Sequence, residues 1–81
     1  MVATEFMITV EVRIAMKLRV NGTEHQFSQP LTAAELVDHL GLQGRRIAME
    51  VNQEIVPRSG YPNFVLNDND QVEIIHAVGG G

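Results

Sequence analysis

Apolar and polar residues alternate without interruption from Ile8 to Val20. Ile8, Val10, Val12, Ile14, Met16, Leu18 and Val20 fall on one side, and Thr9, Glu11, Arg13, Ala15, Lys17 and Arg19 on the other. A period of two is the signature of a half-buried strand. The run is too long for a small sheet, because a strand rises about 3.3 Å per residue and this one would extend roughly 43 Å. Met16 offers a natural break. Residues 1–15 are therefore read as an N-terminal extension without an assigned role, residues 16–78 as the folded domain and residues 79–81 as a tail.

Asn21-Gly22 closes the alternation with the dipeptide that best suits a tight hairpin, since both central positions of that turn need φ > 0. A second strand is expected over Thr23–Phe27. The helix that follows is clearly punctuated. Thr32 and Glu35 have the spacing of a capping box, and Leu31 and Leu36 occupy the two positions of a hydrophobic staple. Leu36, Val37 and Leu40 form an inward stripe, and Gly41 is the left-handed stop after which Leu42 can fold back. A third strand turns Ile47, Met49 and Val51 inward and Ala48 and Glu50 outward. Asn52-Gln53 predicts a turn, Glu54–Val56 a short strand ended by Pro57, and residues 58–66 a loop with one helical turn, anchored by Tyr61, Phe64 and Leu66. Asn67-Asp68-Asn69-Asp70 is a turn cluster. It precedes a last strand in which Val72 and Ile74 face in and Ile75 faces out.

This order, β-β-α-β-β-turn-β, predicts an α+β fold in which one helix covers one face of a mixed sheet of about five strands. The first and last strands would be central neighbours. The end of the chain would then project free at an edge of the sheet.

Composition narrows the function by exclusion. At 81 residues with 44% hydrophobic content, the chain supports one modest core and no large internal cavity. A net charge of −4, with Arg45-Arg46 the only adjacent basic pair, speaks against nucleic acid or an anionic membrane as the main partner. It suits a basic docking site on another protein. Cysteine is absent, which removes disulfides, thiolate metal sites and cysteine nucleophiles. Any sulfur the chain carried would have to sit on a backbone carboxyl or a foreign cofactor. No signal peptide or membrane-length apolar run is present, so a cytoplasmic location is the expectation.

Individual polar residues mostly have ordinary readings. Asp68 and Asp70 have the first spacing of a calcium loop, but its glycine and closing glutamate are missing, so turn chemistry is expected. His25, His39 and His76 are scattered and show no metal-ligand spacing. Ser59 lacks the flanks of a nucleophile elbow. No glycine-rich phosphate loop exists, so ATP would have to be bound by a partner.

The chemistry-bearing feature is the ending, Gly79-Gly80-Gly81, directly after the apolar run Val72–Val78. Glycine offers a bare, flexible backbone that can enter a narrow slot with a carboxylate at its tip. A partner enzyme that activates this carboxylate is one reading; a frayed end or an expression linker is the other. Ile75, Ala77 and Val78 lie on or near an outward face beside this tail. They are candidates for docking to the activating enzyme, with plain edge packing as the alternative.

Four stretches carry a family resemblance. They are Met16-Lys17-Leu18-Arg19-Val20-Asn21-Gly22, Leu31-Thr32-Ala33-Ala34-Glu35-Leu36, Ala48 through Ser59, and Asp68 through Ile75 leading into the glycines. With these the chain resembles the ubiquitin-like β-grasp sulfur carriers, and most of all the ThiS family of thiamin biosynthesis. Asn52 with Glu54-Ile55-Val56-Pro57-Arg58 discriminates best, because it is not typical of the molybdopterin-synthase small subunits that share fold and tail. Three departures stand out: the N-terminal extension, Gln53 in place of the usual glycine, and a third glycine in the tail.

The resemblance implies a carrier and not an enzyme, with no cofactor bound by the chain itself. A ThiF-type adenylyltransferase using ATP and Mg would convert the Gly81 carboxylate to an acyl-adenylate, with Gly80 and Gly79 as the flexible approach. A sulfur donor such as a cysteine desulfurase would turn it into a thiocarboxylate, and a ThiG-type thiazole synthase would take the sulfur. Alternatives are a sulfur carrier for molybdopterin, tungsten-cofactor or tRNA thiolation, or a ubiquitin-like interaction module that never undergoes acyl activation.

Overall fold

A computed structural model describes residues 14–77. Gly79–Gly81, Val78 and the alternating stretch Ile8–Val12 lie outside the described residues. Five strands form one mixed sheet: β1 (Met16–Val20), β2 (Thr23–Phe27), β3 (Ile47–Val51), β4 (Glu54–Val56) and β5 (Gln71–His76). Their spatial order is β2-β1-β5-β3-β4. Among the described residues there are also one α-helix, α1 (Ala33–His39), and a 3-10 helix (Arg58–Asn63). β1 and β5 are parallel central neighbours and the remaining pairs are antiparallel. β5 is thus interior to the sheet. The chain leaves from the end of a central strand, not from a lateral edge as its sequence suggests.

The core follows the predicted parity. Met16, Leu18 and Val20 of β1, Met49 and Val51 of β3, Val56 of β4, and Val72 and Ile74 of β5 are buried against Ala33, Leu36 and Val37 of α1. Tyr61 and Leu66 close the far side. Leu40, expected in the stripe, is the C-cap of α1 and only half-buried, while Ala33 takes the fully buried place at the helix start. Ile14 shares the parity of the buried stripe yet is 50% exposed. The amide of Ala15, bonded to the Phe27 carbonyl, pairs with the last residue of β2, and Ile14 lies past that end. Phe64 is no anchor: it is exposed, as is Val65. Its segment serves through its backbone instead. The Phe64 carbonyl accepts from Ala33 N–H at 2.8 Å, and Leu66 N–H donates to Leu31 at 2.9 Å. One of the helix's orphan first-turn donors is satisfied in this way.

Helix α1 is capped at both ends by the predicted residues. Thr32 Oγ1 accepts from Glu35 N–H at 3.2 Å, and Glu35 Oε1 accepts from Thr32 N–H at 2.8 Å. At the other end Gly41 has φ +71, its N–H donates to Asp38, and Leu42 N–H reaches back to Val37. This bond pair is a Schellman stop.

Both hairpins turn through two left-handed residues, Asn21 and Gly22 at φ 48 and 84, and Asn52 and Gln53 at φ 52 and 71. Each asparagine then reaches sideways to the neighbouring strand or its approach. Asn21 Oδ1 accepts from Ile74 N–H at 2.8 Å and Asn21 Nδ2 donates to the Ile74 carbonyl at 3.2 Å. Asn52 Oδ1 accepts from Gln71 N–H at 3.0 Å, and its Nδ2 donates to Asp70 Oδ1 at 2.9 Å. β5 is therefore held from both flanks by turn side chains.

Two substitutions should move stability in opposite directions. Asn21→Gly keeps the turn but removes both bonds to Ile74, and should cost about 1–3 kcal/mol. Gln53→Gly relieves a left-handed side chain and should add about 1 kcal/mol. Thermal unfolding reads both, at roughly 4–8 °C per kcal/mol for a domain of this size.

Candidate functional site

The end of β5 fixes the point after which the glycines follow in the sequence. The ladder with β3 runs from Val51↔Val72 to Ile47↔His76, and one further bond carries Ala77 N–H to the Arg46 carbonyl at 2.9 Å. Ala77 is thus the last described residue and still tied to the sheet. Gly79, Gly80 and Gly81 follow it in the sequence.

The face of the sheet opposite α1 presents a short apolar surface near this exit. Ile75 is 52% exposed and sits opposite Ala48. Ala77 is exposed as well. Ile55 is 74% exposed, the most of the large apolar residues among those described, and pairs with Glu50 on the next row. The outward position of Ile55 was readable from the inward Val56 beside it, but a three-residue strand draws little attention. Glu50 and Glu73 face each other across β3 and β5 in that row, a like-charge pairing that a sheet tolerates at a cost. On the sheet's far part, a groove of about 480 Å³ lies between the two hairpin turns, with Arg19, Gln71 and Glu73 in its lining. It contains no nucleophile.

The other polar residues have structural roles. Asp70 is buried and both its oxygens are used, by Asn52 Nδ2 and by Asn67 N–H at 2.8 Å. Asp68 Oδ1 accepts from Lys17 N–H at 2.7 Å. The Asn67–Asp70 bond is the turn chemistry expected of the cluster, and the other two tie the turn to Asn52 and to β1. His25 stacks on Phe27, and Phe27 meets His39 edge-on with centroids 5.0 Å apart. His76 stands apart at the end of β5 and is exposed, and Ser59 is an exposed residue of the 3-10 helix. Among the described residues no group of three or more His, Cys, Asp or Glu is placed to hold a metal ion, and no helix is long and apolar enough to cross a membrane.

Comparisons with known proteins agree with this geometry. The family model described as the ThiS family matches residues 13–81. A protein named thiazole synthase from Paramagnetospirillum magneticum is 46% identical over 66 residues, covering 82% of this chain but only 20% of its own length. The sulfur carrier protein ThiS of Bacillus subtilis is 32% identical over 65 residues, covering 79% of this chain and 98% of that one. Among solved structures, the crystal structure of the thiamine biosynthesis protein ThiS from Geobacter metallireducens superimposes with a TM-score of 0.71 at 30% identity. That match covers 82% of this chain and all of the other. The mixed five-stranded sheet with one helix is thus the ubiquitin-like β-grasp of these carriers, and the chain belongs to the ThiS family of sulfur carrier proteins.

Proposed function

We propose that this chain carries sulfur on its own C-terminal carboxylate for thiazole formation in thiamin biosynthesis. The observation that carries the reading is the position of β5. β5, an interior strand paired with β3 along its length and with β1 at its start, is clamped by two asparagines and leads through Ala77 and Val78 into Gly79, Gly80 and Gly81. Four extended residues reach at most about 14 Å. A rigid body thereby offers a narrow lead, without β-carbons in its last three residues, to a slot in a partner.

The chemistry is acyl activation. A carboxylate is a poor electrophile. Attack of the Gly81 carboxylate on the α-phosphorus of ATP, in a ThiF-type adenylyltransferase that binds ATP and Mg, expels pyrophosphate and gives an acyl-adenylate. A persulfide from a donor such as a cysteine desulfurase then attacks the acyl carbon and AMP departs. Cleavage of the donor's S–S bond by a second thiol leaves the thiocarboxylate. A thiazole synthase of the ThiG type is the acceptor, a partner supported by the relative that bears that name. In this reading the chain contributes only its own terminal carboxylate, the nucleophile of the first step, and the partner enzymes supply the rest. The absence of cysteine accords with sulfur riding on the main chain. In this reading Ile75, Ala77 and Val78 form the docking surface, and Ala48 opposite Ile75 and the exposed Ile55 on the same sheet face belong to it.

Incubation with ATP, Mg, a ThiF-type adenylyltransferase and a persulfide donor should raise the intact mass by the exchange of one oxygen for sulfur, located at Gly81. Deleting Gly80 and Gly81 should lower conversion by at least about 100-fold, since a reacting group misplaced by one ångström already costs that much. A pure interaction module would keep its binding partner and show no mass change. Ile75→Asp should lower kcat/KM for adenylation about 10- to 100-fold, the size of an interface hot spot, with a melting temperature close to wild type.

A further inference from the structure

Charge is segregated in this fold. The chain has ten Asp and Glu, yet residues 39–49, 55–63 and 74–81 contain none. These segments include the ones that border the exit of the tail: the loop after α1 with the start of β3, the end of β4 with the 3-10 helix, and the end of β5. Three of the chain's six Lys and Arg lie in the same segments, Arg45, Arg46 and Arg58. All three are exposed. Arg46 is bonded to Ala77 through its carbonyl, and Arg58 Nη2 donates to the Arg45 carbonyl at 2.7 Å, which pins the two segments together. The nearest acids along the chain from Arg45 and Arg46 are Asp38 and Glu50.

An acidic protein has therefore kept an all-cationic collar at the base of its tail. We propose that Arg45, Arg46 and Arg58 dock against an acidic rim at the mouth of the slot in the adenylating enzyme. This inference rests on the carrier reading above and adds the chemistry of the partner's surface. With the tail extended, the collar stands clear of the phosphates. Gly81 lies up to about 14 Å beyond Ala77 when extended, so the collar meets the entrance while the carboxylate is deep inside. Charges at an interface rim steer encounter and set orientation more than they alter bound-state chemistry. The collar consequently governs capture of the carrier, not turnover. It also orients the approach, because the opposite charge, Glu50 and Glu73, lies on the outer face below the Ile75 row.

The test compares steady-state adenylation of the wild-type chain with two double variants, Arg45→Glu/Arg46→Glu and Lys17→Glu/Arg19→Glu. Both lower the net charge equally, but the second alters β1, away from the tail. The collar variant should raise KM for the carrier about 10-fold or more, within the range of electrostatic steering, at unchanged kcat. Its kcat/KM should also depend less on salt. The β1 variant should stay within about twofold of wild type, and Arg45→Lys/Arg46→Lys should retain most of the wild-type KM because rim attraction needs charge and not a fork. Equal effects of the two charge-reversal pairs would overturn the collar. So would a lowered KM, which would mean that the arginines hold the carrier's own terminal carboxylate back. A wild-type chain that is not adenylated at all would remove the carrier reading and the collar with it, an outcome recognisable before any variant is compared.

Discussion

The structure depends on two asparagines whose side chains behave as pieces of backbone. β1 and β5 share only two register pairs, Arg19↔Gln71 and Val20↔Val72. Parallel pairing this short is weak support for a central strand. Asn21 prolongs it by offering both a carbonyl and an amide to Ile74, as another strand residue would. At the opposite flank the Asn52 side-chain oxygen takes the Gln71 amide, its backbone N–H donates to the Gln71 carbonyl, and its side-chain amide holds Asp70. Each asparagine is also the first left-handed residue of a tight turn, a conformation that asparagine accepts more readily than most side chains. Turn geometry and the seating of β5 are thus coupled through one residue on each side.

Much of this fold is legible locally. The alternation of Met16, Leu18 and Val20 with Lys17 and Arg19 identifies the buried face of β1. Thr32, Glu35 and Gly41 mark the limits of α1, and Asn21-Gly22 specifies its turn. What is not legible arises from contacts between distant residues. Asn21 meets Ile74 across 53 positions, and nothing in the neighbourhood of either predicts it. Phe64 reads as an anchor by hydrophobicity, but the helix start needs its carbonyl, and the side chain is left outside. Ile14 continues the alternation past the end of the partner strand, where parity no longer means burial. Gln53 is the instructive middle case: the local reading predicts the turn from Asn52, and the structure holds the glutamine at φ 71 regardless.

The candidate site is legible in a different sense. The glycine tail is visible as composition, and Ile75 as an outward residue of the last strand. The collar of Arg45, Arg46 and Arg58 is visible only once the fold brings residues 45–46 and 58 together beside Ala77. The same holds for Ile55, which joins the Ile75 face through β3. A carrier needs little more than this. In the proposed function the reactive group is the terminal carboxylate, so the fold need not build a cavity. It must hold one strand still and surround its exit with surfaces that partners can read.

The most direct measurement is the mass of the C-terminal peptide of the chain recovered from cells that also make a ThiF-type adenylyltransferase and a persulfide donor. The account predicts a fraction in which sulfur replaces one oxygen of the Gly81 carboxylate, lost when Gly80 and Gly81 are absent. A terminal peptide that remains an ordinary carboxylate throughout, with the partners active on a known carrier, would contradict it.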